Sequence, residues 1–573
     1  MRVKISGTAI LAFLYNLDTA RATGPCPLFG PDLPIPTADA GLRNTVSDIL
    51  KVLHPGVPSS ARNLGIDFQN TSFSIDIYSA KDQRPLANFH HTAQALKHHK
   101  YGTRVVNDTS IYRIGSVSKL LTAYLYLLEV GDVSFNEPIT RYVPELAAMS
   151  TGKENSLRNV DWNAVTIGAL ASHMAGIPRD FPNPPSSDRE LARLGFPPVP
   201  PVDVAYCGKT VQYPCNRSAA FNAIKMHFPV EAPFETPIYS NIGYQLIGYA
   251  LENITGSKYP DILSRQLIKP LRLNSTTYFK PANDDFSVIP DTPSDSSYDV
   301  EMGDAGPAGS IYSSIADLRR IGQSILSYEM LSPSQTRRWM KPQTFTADPN
   351  LAVGAPWEIA RAPSTTKRSN WIYTKGGDLG MYKSLVSLMP DWGIGMTVLV
   401  AGSGVSELFN AVTGQMASEL VASLEQAAKR QANSTYSGLY GDRKSNMTIV
   451  VQKDLPGLAV TSWFFEERDM FDWVHFLVTG TQTEPGNVSM RLYTTGLQEG
   501  GKRKNSREGW RAVYEILDDG APSSPYCAPW FGVDSMTYGG VSVDEFVIDL
   551  SQDGTAQGLT ISAFDTRLER ANY

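Results

Sequence analysis

Ser116 and Lys119 stand three residues apart in residues 114–123, Ile-Gly-Ser-Val-Ser-Lys-Leu-Leu-Thr-Ala. On a helix that spacing puts both side chains on one face, one turn apart, so the lysine amine reaches the serine oxygen. A serine hydroxyl is a weak nucleophile at neutral pH and needs a neighbour to take its proton. A lysine can take it when burial lowers its pKa. Two further segments carry matching chemistry. Tyr239 and Asn241 lie in residues 237–244, Pro-Ile-Tyr-Ser-Asn-Ile-Gly-Tyr. A tyrosine flanked by two lysines gives up its proton more readily and can exchange it with a serine or a leaving group. The asparagine amide can hydrogen-bond an acyl side chain or hold a lysine. Lys375 opens the run Lys375-Gly376-Gly377-Asp378. Small residues on a sheet edge let a substrate backbone approach closely. The lysine adds a second positive charge beside the tyrosine, and a backbone N–H there could join that of Ser116 in an oxyanion hole.

These residues need elements to position them. Leu120, Leu121, Tyr124, Leu127 and Leu128 recur at helical spacing, which predicts a helix from Ser116 that stops at Gly131. Residues 72–78, Ser-Phe-Ser-Ile-Asp-Ile-Tyr, alternate polar and apolar and read as a strand. Residues 385–389 and 395–400 are apolar and flank Pro390-Asp391-Trp392-Gly393, a hairpin in a central sheet. Leu408, Val412, Met416 and Leu420 mark one helix face packed back on that sheet. A Pro-rich stretch, including residues 196–201, is irregular and long enough to wall a substrate cleft. Composition shifts near residues 431–433, and short alternating segments follow, so residues 432–573 read as a separate all-β domain.

The chain has 573 residues, 42% hydrophobic and 19% charged, with a formal charge of -6, which allows a large core and gives no sign of disorder. Its one tight basic run, 502–504, lies in a polar stretch and makes no nucleic-acid face. The histidine doublets at 90–91 and 98–99 lack metal-ligand spacing, and neither a metal nor any other cofactor is expected. No Gly-x-Ser-x-Gly elbow occurs, which removes the usual argument for an α/β-hydrolase. A basic start, a short apolar centre at residues 9–15 and Ala20-Arg21-Ala22 form a secretory signal over residues 1–22. That apolar run is too short for a spanning helix, so no stable membrane insertion is expected. Sequons at Asn70, Asn107, Asn216, Asn253, Asn274, Asn433, Asn446 and Asn487 fit a glycosylated, secreted protein. The four cysteines permit two disulfides, and Cys207–Cys215 with Cys26–Cys527 is one of three pairings.

Taken together, the three segments resemble the serine beta-lactamase and penicillin-binding protein family, closest to its class C branch with esterase and transacylase relatives. Residues 171–180 (Ala-Ser-His-Met-Ala-Gly-Ile-Pro-Arg-Asp) and 306–318 (Gly-Pro-Ala-Gly-Ser-Ile-Tyr-Ser-Ser-Ile-Ala-Asp-Leu) carry the likeness further, over about residues 40–425. The resemblance implies an α+β fold: a beta-lactamase/transpeptidase-like antiparallel sheet flanked by helices, with a helical subdomain, and Ser116 at the N-terminus of a buried helix. It makes residues 40–430 the hydrolase domain. Residues 432–573 resemble the small β domains appended to many fungal members. By position, Ser116 becomes the acyl-accepting nucleophile. Lys119 and Tyr239 share acid/base duty as a coupled pair. Asn241 orients substrate, Lys375 supports Tyr239 and a substrate carboxylate or carbonyl, and the backbone N–H groups of Ser116 and Asp378 form the oxyanion hole.

Two departures bear on substrate. The third motif is Lys-Gly-Gly, without the hydroxyl that helps bind a substrate carboxylate, and Asp378 places a carboxylate beside the oxyanion hole. Both argue against penicillins and cephalosporins as natural substrates and leave the acyl-enzyme chemistry intact. The expectation is therefore a secreted serine hydrolase acting on an ester or amide of a small-molecule or peptide-like acyl substrate. Acyl transfer or cyclisation on a natural product is the second reading, and a non-catalytic binding protein the third. Neither the oligomeric state nor the role of the distal domain is written in the sequence.

Overall fold

The computed structural model describes residues 24–51, 53, 66–150, 156–181, 185–197, 207, 215–366, 368–479, 487–500, 506–517 and 527–571. The expected signal segment, the basic run at 502–504 and residues 198–201 of the Pro-rich stretch lie outside them. The chain folds into two compact units: Arg43–Ala362 with Trp371–Glu419, and the remainder. Every residue of the candidate catalytic set belongs to the first.

That first unit is built on an eight-stranded sheet. Its strands are β1 (Thr71–Ser79), β2 (Ala87–His91), β5 (Thr344–Phe345), β6 (Leu351–Val353), β7 (Glu358–Ala362), β8 (Asn370–Leu379), β9 (Tyr382–Met389) and β10 (Ile394–Gly402), in the order β2-β1-β10-β9-β8-β7-β6-β5. A separate antiparallel ribbon pairs β3 (Ile111–Arg113) with β4 (Tyr312–Ser314). The expected hairpin forms: Met389 pairs with Ile394 across a turn in which Gly393 takes φ 61°, a conformation that favours glycine. β1 and β10 are buried along their whole length. β10 reads as a near-continuous apolar run, whereas β1 alternates and buries Ser72, Ser74 and Asp76 along with its apolar residues.

Helix α1 (Ser118–Glu129) is buried from Ser118 to Leu127. A helix apolar on all sides belongs inside a core. Burial of each of Leu120, Leu121 and Leu125 contributes about 1.5–3 kcal/mol. The helix ends as expected at Gly131, whose φ is 83° and whose N–H donates to Leu127 O. Its start differs from expectation. Gly115–Val117 form a separate 3-10 turn, and Ser116 sits on that turn rather than in the α-helix. The i to i+3 relation to Lys119 survives because a 3-10 turn also brings such positions together. Helix α2 (Asn241–Thr255) is capped by Ser240, whose hydroxyl accepts from Gly243 N, and closes at Gly256 with φ 66°. Shorter helices between Val133 and Leu271 complete the helical subdomain.

Lys375–Asp378 lie in the last part of β8, paired on one side with Val386, Leu385, Ser384 and Lys383 of β9, while on the other Gly376 N meets the Glu358 side chain. One further expectation changes. The helix through Leu408 and Val412 breaks into Val405–Ala411, a wide turn Val412–Met416 and Ala417–Tyr436. The second unit carries a nine-stranded antiparallel sheet between Gly438 and Glu569, with the helix Met470–Thr479 against it. Among the described residues no helix is long and apolar enough to cross a membrane.

Candidate active site

The Ser116 turn is held from three sides. Ser384 Oγ donates to Ile114 O at 2.7 Å, Ile114 N to Ile311 O at 3.1 Å, and Ile311 N to Ser118 Oγ at 3.2 Å. Gly115 has φ 47°, and a Cβ there would lie 2.8 Å from Asp378 N. Gly377 is tighter still: a Cβ would fall 2.1 Å from Ile114 O and 3.0 Å from Ser116 N. The two glycines let β8 and the serine turn touch backbone to backbone. This close approach brings the Ser116 N–H beside the strand that carries Asp378.

Lys119 is wholly buried, with Nζ 3.0 Å from Ser116 Oγ, 2.5 Å from Asn241 Oδ1 and 2.7 Å from Ala308 O. Burial, and then the nearby charge of Lys375, holds its pKa well below the usual lysine value, against an opposing pull from Asp180 and Glu358. A neutral amine has two N–H groups and one lone pair. Two of its neighbours are pure acceptors and the third is a hydroxyl. All three neighbours can accept from Nζ, and in the neutral form that the lowered pKa favours, the lone pair is free to take a proton from the Ser116 hydroxyl.

Tyr239 Oη lies 2.7 Å from Ser116 Oγ. Its ring is surrounded by Arg179, Lys119 and Lys375 at 4.9, 5.0 and 5.3 Å from the centroid. His173 grips it from behind. The imidazole stacks on Tyr239 at 4.4 Å, His173 O accepts from Ile238 N at 2.8 Å, and Nδ1 accepts from Ser240 N at 3.1 Å. The residues before, at and after position 239 are thus fixed by one side chain and its own carbonyl. His173 takes φ 63°, unusual for a non-glycine residue. Burial and the charges of Lys119, Lys375 and Arg179 press its pKa well below the ordinary value. A neutral ring agrees with Nδ1 acting as an acceptor.

Asn241 opens α2. Its Oδ1 faces Lys119 and its Nδ2 donates to Asp180 Oδ1 at 2.7 Å. Of the two roles open to this amide, the geometry has it holding the lysine. Lys375 is buried and donates to Glu358 Oε1 at 2.5 Å and to Gly376 O at 2.8 Å, while Gly376 N donates to Glu358 Oε2 at 3.0 Å. Asp378 is exposed and ion-paired with Lys383, so its carboxylate is engaged away from the serine turn.

Ser116, Lys119, Tyr239, Asn241 and Lys375 thus share one site, with Gly376, Gly377 and Asp378 on the adjoining strand. Sequence reasoning assigned no role to His173 or Asp180, although both lie in the quoted 171–180 stretch. Glu358 carried no signal at all: it stands on a short strand, distant in sequence from every motif except the Lys375 segment. Among the described residues no three His, Cys, Asp or Glu side chains gather as metal ligands. Cys207–Cys215 and Cys26–Cys527 are bonded, with Cα atoms 4.4 and 5.4 Å apart, each pair within a single unit. Asn70, Asn107, Asn216, Asn253, Asn274 and Asn433 are exposed, Asn446 is half-buried, and Asn487 begins the strand Asn487–Glu499.

Residues 87–418 match the family model described as Beta-lactamase, and residues 428–572 match one described as Beta-lactamase-like-like, C-terminal domain. The chain is 28% identical to a "Beta-lactamase-like protein" of Arthroderma benhamiae over 96% of each chain. It is 25% identical to a "Probable hydrolase M10" of Phoma sp. over 99% of this chain and 95% of the relative. A solved D-stereospecific amidohydrolase from Streptomyces sp. aligns with 65% of this chain and 97% of its own, at 19% identity and a TM-score of 0.43.

Proposed function

This chain belongs to the beta-lactamase family of serine hydrolases, and from that premise we propose that it cleaves an ester or amide through an acyl-enzyme on Ser116. One observation carries the reading: Lys119 Nζ and Tyr239 Oη converge on Ser116 Oγ at 3.0 and 2.7 Å. Ser116 attacks the substrate carbonyl as its proton passes to the neutral Lys119 amine. The developing oxyanion takes hydrogen bonds from the backbone N–H groups of Ser116 and Asp378, each worth about 10²–10³ in rate. Tyr239 gives its phenol proton to the departing oxygen or nitrogen and recovers one from Lys119, a relay worth about 10²–10⁴. Water then enters along the same relay, giving its proton back through it, and releases the acid. Asn241 holds Lys119 in line, and Lys375 faces the Tyr239 ring.

We further propose residues 40–430 as the hydrolase domain, residues 432–573 as a C-terminal β domain, and export through the signal at 1–22. Two disulfides and exposed sequons support an oxidising, glycosylating route. The test is a fluorophosphonate probe followed by intact mass. Wild type gains one adduct on Ser116, and Ser116→Ala gains none. Folded wild type that takes no adduct and turns over no member of an ester and amide panel overturns the reading. Product analysis with an added alcohol separates hydrolysis from acyl transfer, and a mature N-terminus near residue 23 in the medium tests export.

A further inference from the structure

Glu358 sits at the edge of the site with a half-exposed carboxylate. Its two oxygens accept from Lys375 Nζ at 2.5 Å and from Gly376 N at 3.0 Å. This is how a substrate carboxylate would be held by a lysine followed by a free backbone N–H. Position 376 faces this carboxylate, since a Cβ there would stand in ordinary contact, 3.5 Å from Glu358 Oε2. The place of the missing hydroxyl therefore lies against this carboxylate. Lys375 is 1% exposed and gives a second N–H to Gly376 O, so little of its donor capacity faces the cleft.

We propose that Glu358 is a specificity-determining residue that fills the anion seat of Lys375 and Gly376. The site then accepts esters, lactones or amides with an uncharged leaving side and rejects those carrying a free carboxylate there. The inference rests on the Ser116 acyl-enzyme reading and adds the substrate class to it. A second carboxylate at this seat would have to share one buried cation with Glu358 or displace it. Like charges in that position oppose each other, and two adjoining carboxylates beside one cation do not both stay ionised without cost. Displacement loses the ion pair and leaves the Gly376 N–H to be satisfied by the newcomer alone.

The experiment compares 3-carboxyphenyl phenylacetate with its methyl ester. The acyl group is the same, and the leaving phenols differ in the presence of the carboxylate. Wild type is expected to show a kcat/KM about 10- to 100-fold higher for the methyl ester, the scale of a like-charge contact. In Glu358→Gln and Glu358→Ala that ratio falls to near one or inverts, while circular dichroism and Tm report folding. The ratio on wild type alone stands even where a variant fails to fold. Equal or better use of the free acid by wild type overturns the inference, as does an unchanged ratio in folded Glu358→Gln and Glu358→Ala. Failure to turn over the methyl ester by protein that still takes a fluorophosphonate on Ser116 also overturns it alone. Absence of both turnover and adduct overturns the Ser116 reading beneath it.

Discussion

Gly376 and Gly377 are neighbours on β8, yet alanine should be tolerated at the first and not at the second. Neither has a left-handed φ, so space alone decides. At position 376 the nearest atom to a new Cβ is Glu358 Oε2 at 3.5 Å, an ordinary contact. At position 377 the Cβ would lie 2.1 Å from Ile114 O, 2.4 Å from Ser384 Oγ and 3.0 Å from Ser116 N. A carbon and a carbonyl oxygen prefer about 3.3–3.6 Å, so strand and serine turn must part by about 1 Å. The hydroxyl of Ser384, which donates to Ile114 O, stands in the same place and is lost as a tie. Overpacking of this kind costs about 1–3 kcal/mol in stability. The larger effect falls on rate, since a 1 Å displacement of reacting groups costs about 10²-fold. Gly377→Ala should therefore lower kcat/KM on a neutral aryl ester about 100-fold and slow fluorophosphonate labelling of Ser116 in parallel. Gly376→Ala should stay within about 3-fold, as expected of a substitution that meets only ordinary contact. The reasoning fails if Gly377→Ala labels Ser116 at the wild-type rate, or if folded Gly376→Ala is as slow as Gly377→Ala.

Three other outcomes are expected. Lys119→Arg puts a permanent cation where a neutral amine is needed, and kcat should fall about 10²–10⁴-fold; in wild type, kcat/KM should decline as pH falls through the lowered Lys119 pKa, because protonation removes the base. Glu515 accepts from Cys26 N, and burial raises its pKa to about 7. Between about pH 4.3 and 7 the unfolded chain is ionised while the folded one keeps its proton, so up to about 3 kcal/mol of stability is lost with rising pH, and Glu515→Gln should raise Tm at pH 8 more than at pH 5. Replacing Cys26 and Cys527 by serine together should lower stability by about 2–5 kcal/mol, read as a lower Tm than that of the oxidised wild type.

The proximity of the site's side chains was legible in the sequence where spacing alone carries the geometry. Ser116 and Lys119 are one turn apart whatever the rest of the chain does, and the turn type that replaced the first helical residues preserved that relation. Tyr239 and Asn241 likewise share a loop and a helix start. The hairpin at 390–393 and the stop at Gly131 follow from glycine and proline chemistry within a few residues. The lysine of β8 was harder to place: a Lys-Gly-Gly-Asp run looks like a turn, yet pairing with β9 makes it strand. Local propensity has no access to which strands will flank it.

By itself, then, the sequence determined the reactive groups and their local order: a serine with a lysine one turn away, a tyrosine with its amide, and a lysine before two small residues. Only the tertiary structure decided what each group faces. It set His173 behind Tyr239, brought Gly377 against Ser116, and turned Asp378 toward Lys383. It also laid Glu358 across Lys375 and Gly376, where a substrate carboxylate would otherwise bind. The physical reason is that charge pairing, desolvation and close packing act through a few ångströms of space, and residues far apart in the chain become neighbours only when the sheet and the helical subdomain close around them.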